Sequence, residues 1–208
     1  MRIKTAIINL LTHLLLLSLL AGCLTVPPEQ EPESESFVQI TFILQCPDIA
    51  TGESVYIEFL DEVTGLTLNP SRYQMELIDD QNFRITLPFK LGSFLKYRFI
   101  KGLNPIVTET TADGEKIRYR FFWAQGNNLI INSVAAWADG SYTGPTGRLQ
   151  GIVNDRNGVP IPNAMINISG NQAVTGSDGK FYINGVIPGT HIITVFSLDG
   201  EYQPFQQE

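Results

Sequence analysis

The chain has 208 residues, of which 43% are hydrophobic and 17% charged, with a formal net charge of −7. That balance excludes an intrinsically disordered chain and has the wrong sign for a sequence-independent nucleic-acid binder. Eighteen Gly and twelve Pro, set between apolar runs mostly shorter than about ten residues, point to many short strands joined by turns.

Arg2 and Lys4 precede an apolar stretch from Ala6 to Leu20, which ends in Leu20-Ala21-Gly22-Cys23. A run of about 15 residues is short for a membrane span, which needs about 20, and the layout of 1–22 is that of a signal peptide. Leu20-Ala21-Gly22-Cys23 resembles the lipobox of bacterial lipoproteins. The resemblance implies that Cys23 carries lipid, and that the protein is exported and anchored to the bacterial membrane, facing the cell exterior or periplasm. Each buried acyl CH₂ contributes ~0.8 kcal/mol, so several chains on one Cys hold a protein firmly on a bilayer. An ordinary secretory signal with a chance Cys is the alternative.

With Cys23 lipidated, Cys46 has no disulfide partner and reads as a small packed residue at a strand end. Only two His exist, His13 and His191, and no Asp and His lie near Cys46 in sequence to suggest a triad. Removing the signal leaves 12 basic and 21 acidic residues, net −9. Residues 23–36 include Glu29, Glu31, Glu33 and Glu35 in a Pro-, Glu- and Ser-rich run without apolar periodicity. This is a solvated tether, reaching roughly 20 Å if flexible.

From Phe37 the pattern alternates. Val38, Ile40, Phe42 and Leu44 form one apolar face against Phe37, Gln39, Thr41 and Ile43. SVYIEFL, NFRITLPF, FLKYRFIK, KIRYRFFW and NLIINSVAAW follow, each rich in β-branched and aromatic residues. Between them PDIATGES, DEVTGLTLNP, ELIDDQ, KGLNP, TADGE and AQGNN carry turn chemistry. The pattern predicts an all-β fold, with a first β-sandwich over 37–139. Residues 140–147 read as a linker, and a second β-sandwich over 148–208 begins with RLQGIVND. Asn157-Gly158, Asp178-Gly179 and Asp199-Gly200 mark hairpin-type turns.

In 117–123, IRYRFFW, alternation groups Ile117, Tyr119, Phe121 and Trp123 against Arg118, Arg120 and Phe122. Leu95, Tyr97 and Phe99 likewise oppose Lys96, Arg98 and Ile100. Both runs read as apolar-in, basic-out strands. Half of the fourteen basic residues lie between 90 and 120, so the basic face is local, and the overall charge opposes nucleic acid as a partner.

Two further resemblances concern whole modules. Gly151-x-Val153, Asp155, Gly158-Val159-Pro160-Ile161-Pro162-Asn163-Ala164, Thr175, Asp178-Gly179-x-Phe181 and Val186-x-Pro188-Gly189 together resemble the carboxypeptidase regulatory-like domain. This implies a small transthyretin-like sandwich without catalytic residues, available for protein contacts. In that family a further strand follows the Tyr202-x-Pro204-Phe205 region. The chain is therefore expected to be truncated at Glu208, or to continue into repeats not included.

LKYRFIKG, TETTADGEKIRYRFF and INSVAAW, with VQITFILQCPDIATGESVYIEF before them, resemble a starch-binding carbohydrate-binding module over 37–139. The resemblance implies an immunoglobulin-like sandwich that binds glycan. Three departures remove the usual starch site: DEVTGLTLNP lacks the loop Trp, Val107-Thr108-Glu109 replaces the partner Trp, and Ile117 stands where an Asn normally sits. Arg98 occupies the sugar-contacting Lys position. The candidate glycan residues are Arg98, Tyr73, Tyr97, Tyr119 and Trp123, each of which also fits a core or rim position; Trp137 reads as core.

No cofactor and no metal are expected. Asp178 and Asn184, with Asp155, imitate a Ca²⁺ loop, but turn geometry accounts for them more simply. Asp61-Glu62 and Asp79-Asp80 sit in turns, so an enzyme is not expected. The expected function is a non-catalytic cell-surface lipoprotein that binds or displays starch-like extracellular carbohydrate through its first sandwich. The alternative is a structural or adhesion protein whose modules act as spacers and protein-contact surfaces. An accessory piece of a secreted hydrolase is a third.

Overall fold

The computed structural model describes residues 36–47 and 49–208, and these form strands, turns and loops without a helix. The expected signal peptide, the lipidation residue Cys23 and the tether up to Glu35 lie outside the described residues. Among the described residues no helix is long and apolar enough to cross a membrane.

The first sandwich contains β1 (Phe37–Gln45), β2 (Val55–Phe59), β3 (Ser71–Gln74), β4 (Glu76–Asp79) and β5 (Asn82–Lys90). It continues with β6 (Phe94–Lys101), β7 (Val107–Thr110), β8 (Arg120–Trp123), β9 (Asn128–Ser133) and β10 (Ala136–Trp137). One sheet runs β4-β5-β1-β9, with β1 antiparallel to β5 and parallel to β9. The facing sheet runs β10-β7-β6-β2-β3, and β8 joins it on β6. Alternation along β1 works as expected: Val38, Ile40, Phe42 and Leu44 are buried between the sheets. The Phe42 ring meets Phe59, Phe89 and Tyr97 edge-on at 5.8, 6.2 and 5.1 Å, the geometry aromatic quadrupoles favour.

Sequence patterning misses β3 and β4 because both are sheet-edge strands exposed along their whole length, so neither carries an apolar alternation. It misses β7 for a different reason. β7 is short and reads VTET, and its buried positions are Glu109 and Thr110.

β7 and β8 share one edge of β6. β8 pairs with residues 94–97 and β7 with residues 100 and 101. The gap between them leaves the Phe99 N–H without a strand partner, and it donates instead to Glu109 Oε1 at 2.9 Å. Glu109 in turn accepts from Arg120, whose Nη2 lies 2.7 Å from Oε2 and whose Nε lies 3.2 Å from both oxygens. Arg120 Nη2 also donates to the Ser133 carbonyl at 2.8 Å. Burial by itself disfavours a charged guanidinium, but the Glu109 carboxylate more than offsets it, and the pKa of Arg120 is raised.

The expected faces of IRYRFFW are therefore inverted. Arg120 and Phe122 point into the first sandwich, where Phe122 is 1% exposed and joins the main core. Phe121 and Tyr119 are buried on the opposite side in a separate cluster with Leu60. Alternation does not distinguish the two choices, because the sandwich accepts an arginine that brings its own carboxylate.

The second sandwich holds β11 (Gly147–Ile152), β12 (Ala164–Ile168), β13 (Asn171–Val174), β14 (Lys180–Val186), β15 (Ile193–Ser197) and β16 (Phe205–Gln207). β11 pairs with β14, and the facing sheet runs β13-β12-β15-β16. Ile166, Ile168, Phe181 and Ile183 form its core. Asp155 accepts from the backbone N–H groups of Asn157 and Val159, both at 2.8 Å, which holds its carboxyl below the usual range. Among the described residues no group of three or more His, Cys, Asp or Glu is placed to hold a metal ion.

Removing Glu109 strands a buried guanidinium and the Phe99 N–H together. Glu109→Ala is expected to cost about 3–5 kcal/mol in urea unfolding, whereas Glu115→Ala, on the exposed turn nearby, stays within about 0.5 kcal/mol of the parent.

Candidate functional site

The seam between the sandwiches is built on residues 117–123. In a strand, N–H and C=O groups of alternate residues point to opposite edges. Those of Tyr119, Phe121 and Trp123 turn away from β6, and side chains of the second sandwich meet them. The Tyr119 carbonyl accepts from Asn167 Nδ2 at 3.0 Å and from Gln172 Nε2 at 3.1 Å. The Phe121 carbonyl accepts from the Thr194 hydroxyl at 3.2 Å. Trp123 N–H donates to Gln206 Oε1 at 2.9 Å, and its carbonyl accepts from Gln206 Nε2 at 3.4 Å. Amide and hydroxyl side chains thus stand in for a neighbouring strand. Ile117 completes the contact by packing on Gly170, where an added Cβ would lie 2.7 Å from the isoleucine side chain.

Four rings cross this seam in sequence. Trp123 stacks on Phe94 at 5.8 Å, Phe94 on Phe121 at 5.5 Å, and Phe121 on Phe196 at 4.3 Å. Beside them opens a cleft of about 570 Å³, lined by Phe94, Phe121, Phe196 and Tyr202, with Glu62, Lys96, Glu201 and Gln203 among the polar groups. Three of these rings come from three different strands and the fourth from the β15–β16 loop. The Lys96 ammonium does not reach freely into the cleft: it donates to the Val63 carbonyl at 2.7 Å and lies 5.3 Å from the centre of the Tyr119 ring. Burial, then repulsion from Arg118, lowers its pKa.

The five residues expected to contact glycan do not assemble. Tyr97 is fully enclosed in the first core, its hydroxyl donating to Asn132 Oδ1 at 3.0 Å and its pKa raised by burial. Arg98 is buried on the other face of the same strand, 2.6 Å from Glu58, which also holds Arg72 at 2.8 Å. Tyr119 is buried in the seam under Lys96 and Arg118. Tyr73 is exposed on β3 with its ring edge-on to Phe59. Trp123 alone borders the cleft, through Phe94, with its indole N–H donating to the Gly92 carbonyl at 3.3 Å. Tyr97 and Tyr119 are thus corrected to buried packing positions, and Arg98 to an ion-pair partner.

Phe94, Phe196 and Tyr202 were not singled out in the sequence, since no local pattern joins residues about a hundred positions apart. Cys46 is buried and its thiol is pushed up to about 12, mainly by that burial, so it stays protonated. Ser169 Oγ lies 2.6 Å from His191 Nδ1, but the other ring nitrogen donates to the Ile187 carbonyl at 2.7 Å. The pair braces its turn.

No protein-family model matches the chain, and no curated protein matches its sequence. Solved structures similar to it include the Hypocrea jecorina family 15 glucoamylase, at 14% identity and a TM-score of 0.35, covering 50% of this chain and 18% of that one. A streptococcal ancillary pilin matches at 14% identity and a TM-score of 0.28, covering 85% and 59%. A leucine-rich repeat protein from Bacteroides thetaiotaomicron matches at 10% identity and a TM-score of 0.30, covering 82% and 23%. Similarities of this size carry no argument about function.

The seam predicts coupled unfolding. Gln206→Ala removes both bonds to Trp123 and is expected to cost about 1–2 kcal/mol. In calorimetry, combining it with Phe196→Ala should split a single unfolding transition into two, the lower belonging to the second sandwich.

Proposed function

We propose that this chain is a non-catalytic, lipid-anchored surface protein that binds extracellular carbohydrate in the aromatic cleft between its two sandwiches. The observation that carries this reading is the cleft itself. Ligand sites favour domain junctions, apolar walls and a few polar groups that fix orientation, and aromatic walls with Gln and carboxylate groups suit the apolar faces and hydroxyls of a pyranose. The starch-binding-like order of motifs over 37–139 and the regulatory-like pattern over 148–208 support it. In this reading neither module holds the glycan alone. The sugar contacts move from Arg98, Tyr73, Tyr97, Tyr119 and Trp123 to Phe94, Phe121, Phe196 and Tyr202.

A second reading, a rigid spacer for surface display or adhesion, draws on the hydrogen-bonded seam, which suits a module pair that transmits force without hinging. Calorimetry and affinity electrophoresis of the mature chain against soluble starch, cyclodextrin and unrelated polysaccharides separate the two. The glycan reading expects binding that Phe94→Ala and Tyr202→Ala each weaken about tenfold, which is about 1.4 kcal/mol. Absence of binding to every glycan would leave the spacer. For the anchor, Cys23→Ala should move the protein from the membrane fraction to the soluble one; unchanged membrane retention would overturn lipidation at Cys23.

A further inference from the structure

The charges around the cleft are unequal in what they can offer. Its lining carries one cation, Lys96, and two carboxylates, Glu62 and Glu201. The ammonium of Lys96 is already spent on the Val63 carbonyl and the Tyr119 ring. Arg118 lies over that same ring and bonds the Thr64 carbonyl, and Arg156 lines the adjoining cavity, which shares Phe196, Glu201 and Tyr202 with the cleft, but not the cleft itself. Glu62 and Glu201 are both exposed, and neither forms an ion pair among the described residues. Glu62 acts on Lys96 only at a distance. The same lining carries Phe196, which stacks on Phe121, and Tyr202, which takes part in none of the ring stacks among the described residues; the face of an aromatic ring is negative and attracts cations. Rings and carboxylates therefore favour the same kind of ligand, and both disfavour an anionic one.

Resting on the reading of this cleft as a glycan site, we propose that it selects glycans bearing free amino groups, of the 2-amino-2-deoxyhexose class, over neutral glycans and over uronate or sulfated ones. The pyranose ring lies against the aromatic wall formed by Phe94, Phe196 and Tyr202. The protonated amine is held by Glu62 or Glu201 at the rim, where water remains and the attraction is screened by salt.

The test titrates the full mature chain with three probes of matched length: glucosamine oligomers, neutral gluco-oligomers and uronic acid oligomers, in buffer where the sugar amine is protonated. The expected order is amine above neutral above uronate, with about tenfold between the first two, narrowing as salt is raised. Glu62→Gln and Glu201→Gln combined should erase the preference, read as the ratio of amine to neutral binding within that same variant. Both positions are exposed, so the double variant is expected to fold, and its unfolding midpoint serves as the control. Neutral binding equal to or stronger than amine binding, or a preference that survives the double substitution, overturns the selectivity and leaves the glycan reading standing. Amine binding that Phe94→Ala and Tyr202→Ala do not weaken places the interaction elsewhere on this acidic chain and overturns it also. Failure of all three probes removes both.

Discussion

The outer edge of β8 is the constraint on which the rest depends. A strand that pairs on one side only presents a row of N–H and C=O groups that must find partners or face water. Here β6 takes one edge, and Asn167, Gln172, Thr194 and Gln206 take the other with side chains. This has a geometric consequence. Side-chain donors reach only a short way, so the second sandwich must sit close against β8, and that proximity brings Phe196 onto Phe121. The aromatic cleft exists because the edge needed capping.

The same strand is held from within by a charged pair that local patterning would place in solvent. Breaking up the β6 edge between two strands creates a donor with no ladder partner, and Glu109 is the side chain that satisfies it. A buried carboxylate requires a counter-charge, which Arg120 supplies from the first position of β8. The pair thus fixes which face of β8 looks inward, and Phe121 and Trp123 are left on the face available to the cleft. The Arg72–Glu58–Arg98 ladder plays a comparable role across β3, β2 and β6, whose paired positions set these three residues side by side.

Much of the fold was legible beforehand. Period-two alternation in β1 and β5 is strong because each has one face against a core, and the Asn-Gly and Asp-Gly turns carry glycines at positive φ, 82° for Gly158 and 72° for Gly179. Legibility failed where burial and polarity part company. β3 and β4 have no buried face to advertise, β7 hides a carboxylate, and β8 hides an arginine. The candidate site failed for a related reason. Tyr97 and Tyr119 carry a hydroxyl and look amphipathic in sequence, yet one is enclosed by the main core and the other is buried beside Leu60, Gly65 and Phe121 under Lys96.

By itself the sequence determined the fold class, the strand-forming runs and the turns, because hydrophobic period and turn chemistry are local properties of the chain. It also carried the lipobox-like run that raises the question of an anchor. Which row of IRYRFFW faces inward, and which aromatics share a cleft, were decided only in the tertiary structure. Those outcomes depend on Glu109 meeting Arg120 from a separate strand and on Phe196 and Tyr202 arriving from the second sandwich. Contacts between residues so far apart in the chain leave no periodic trace in it.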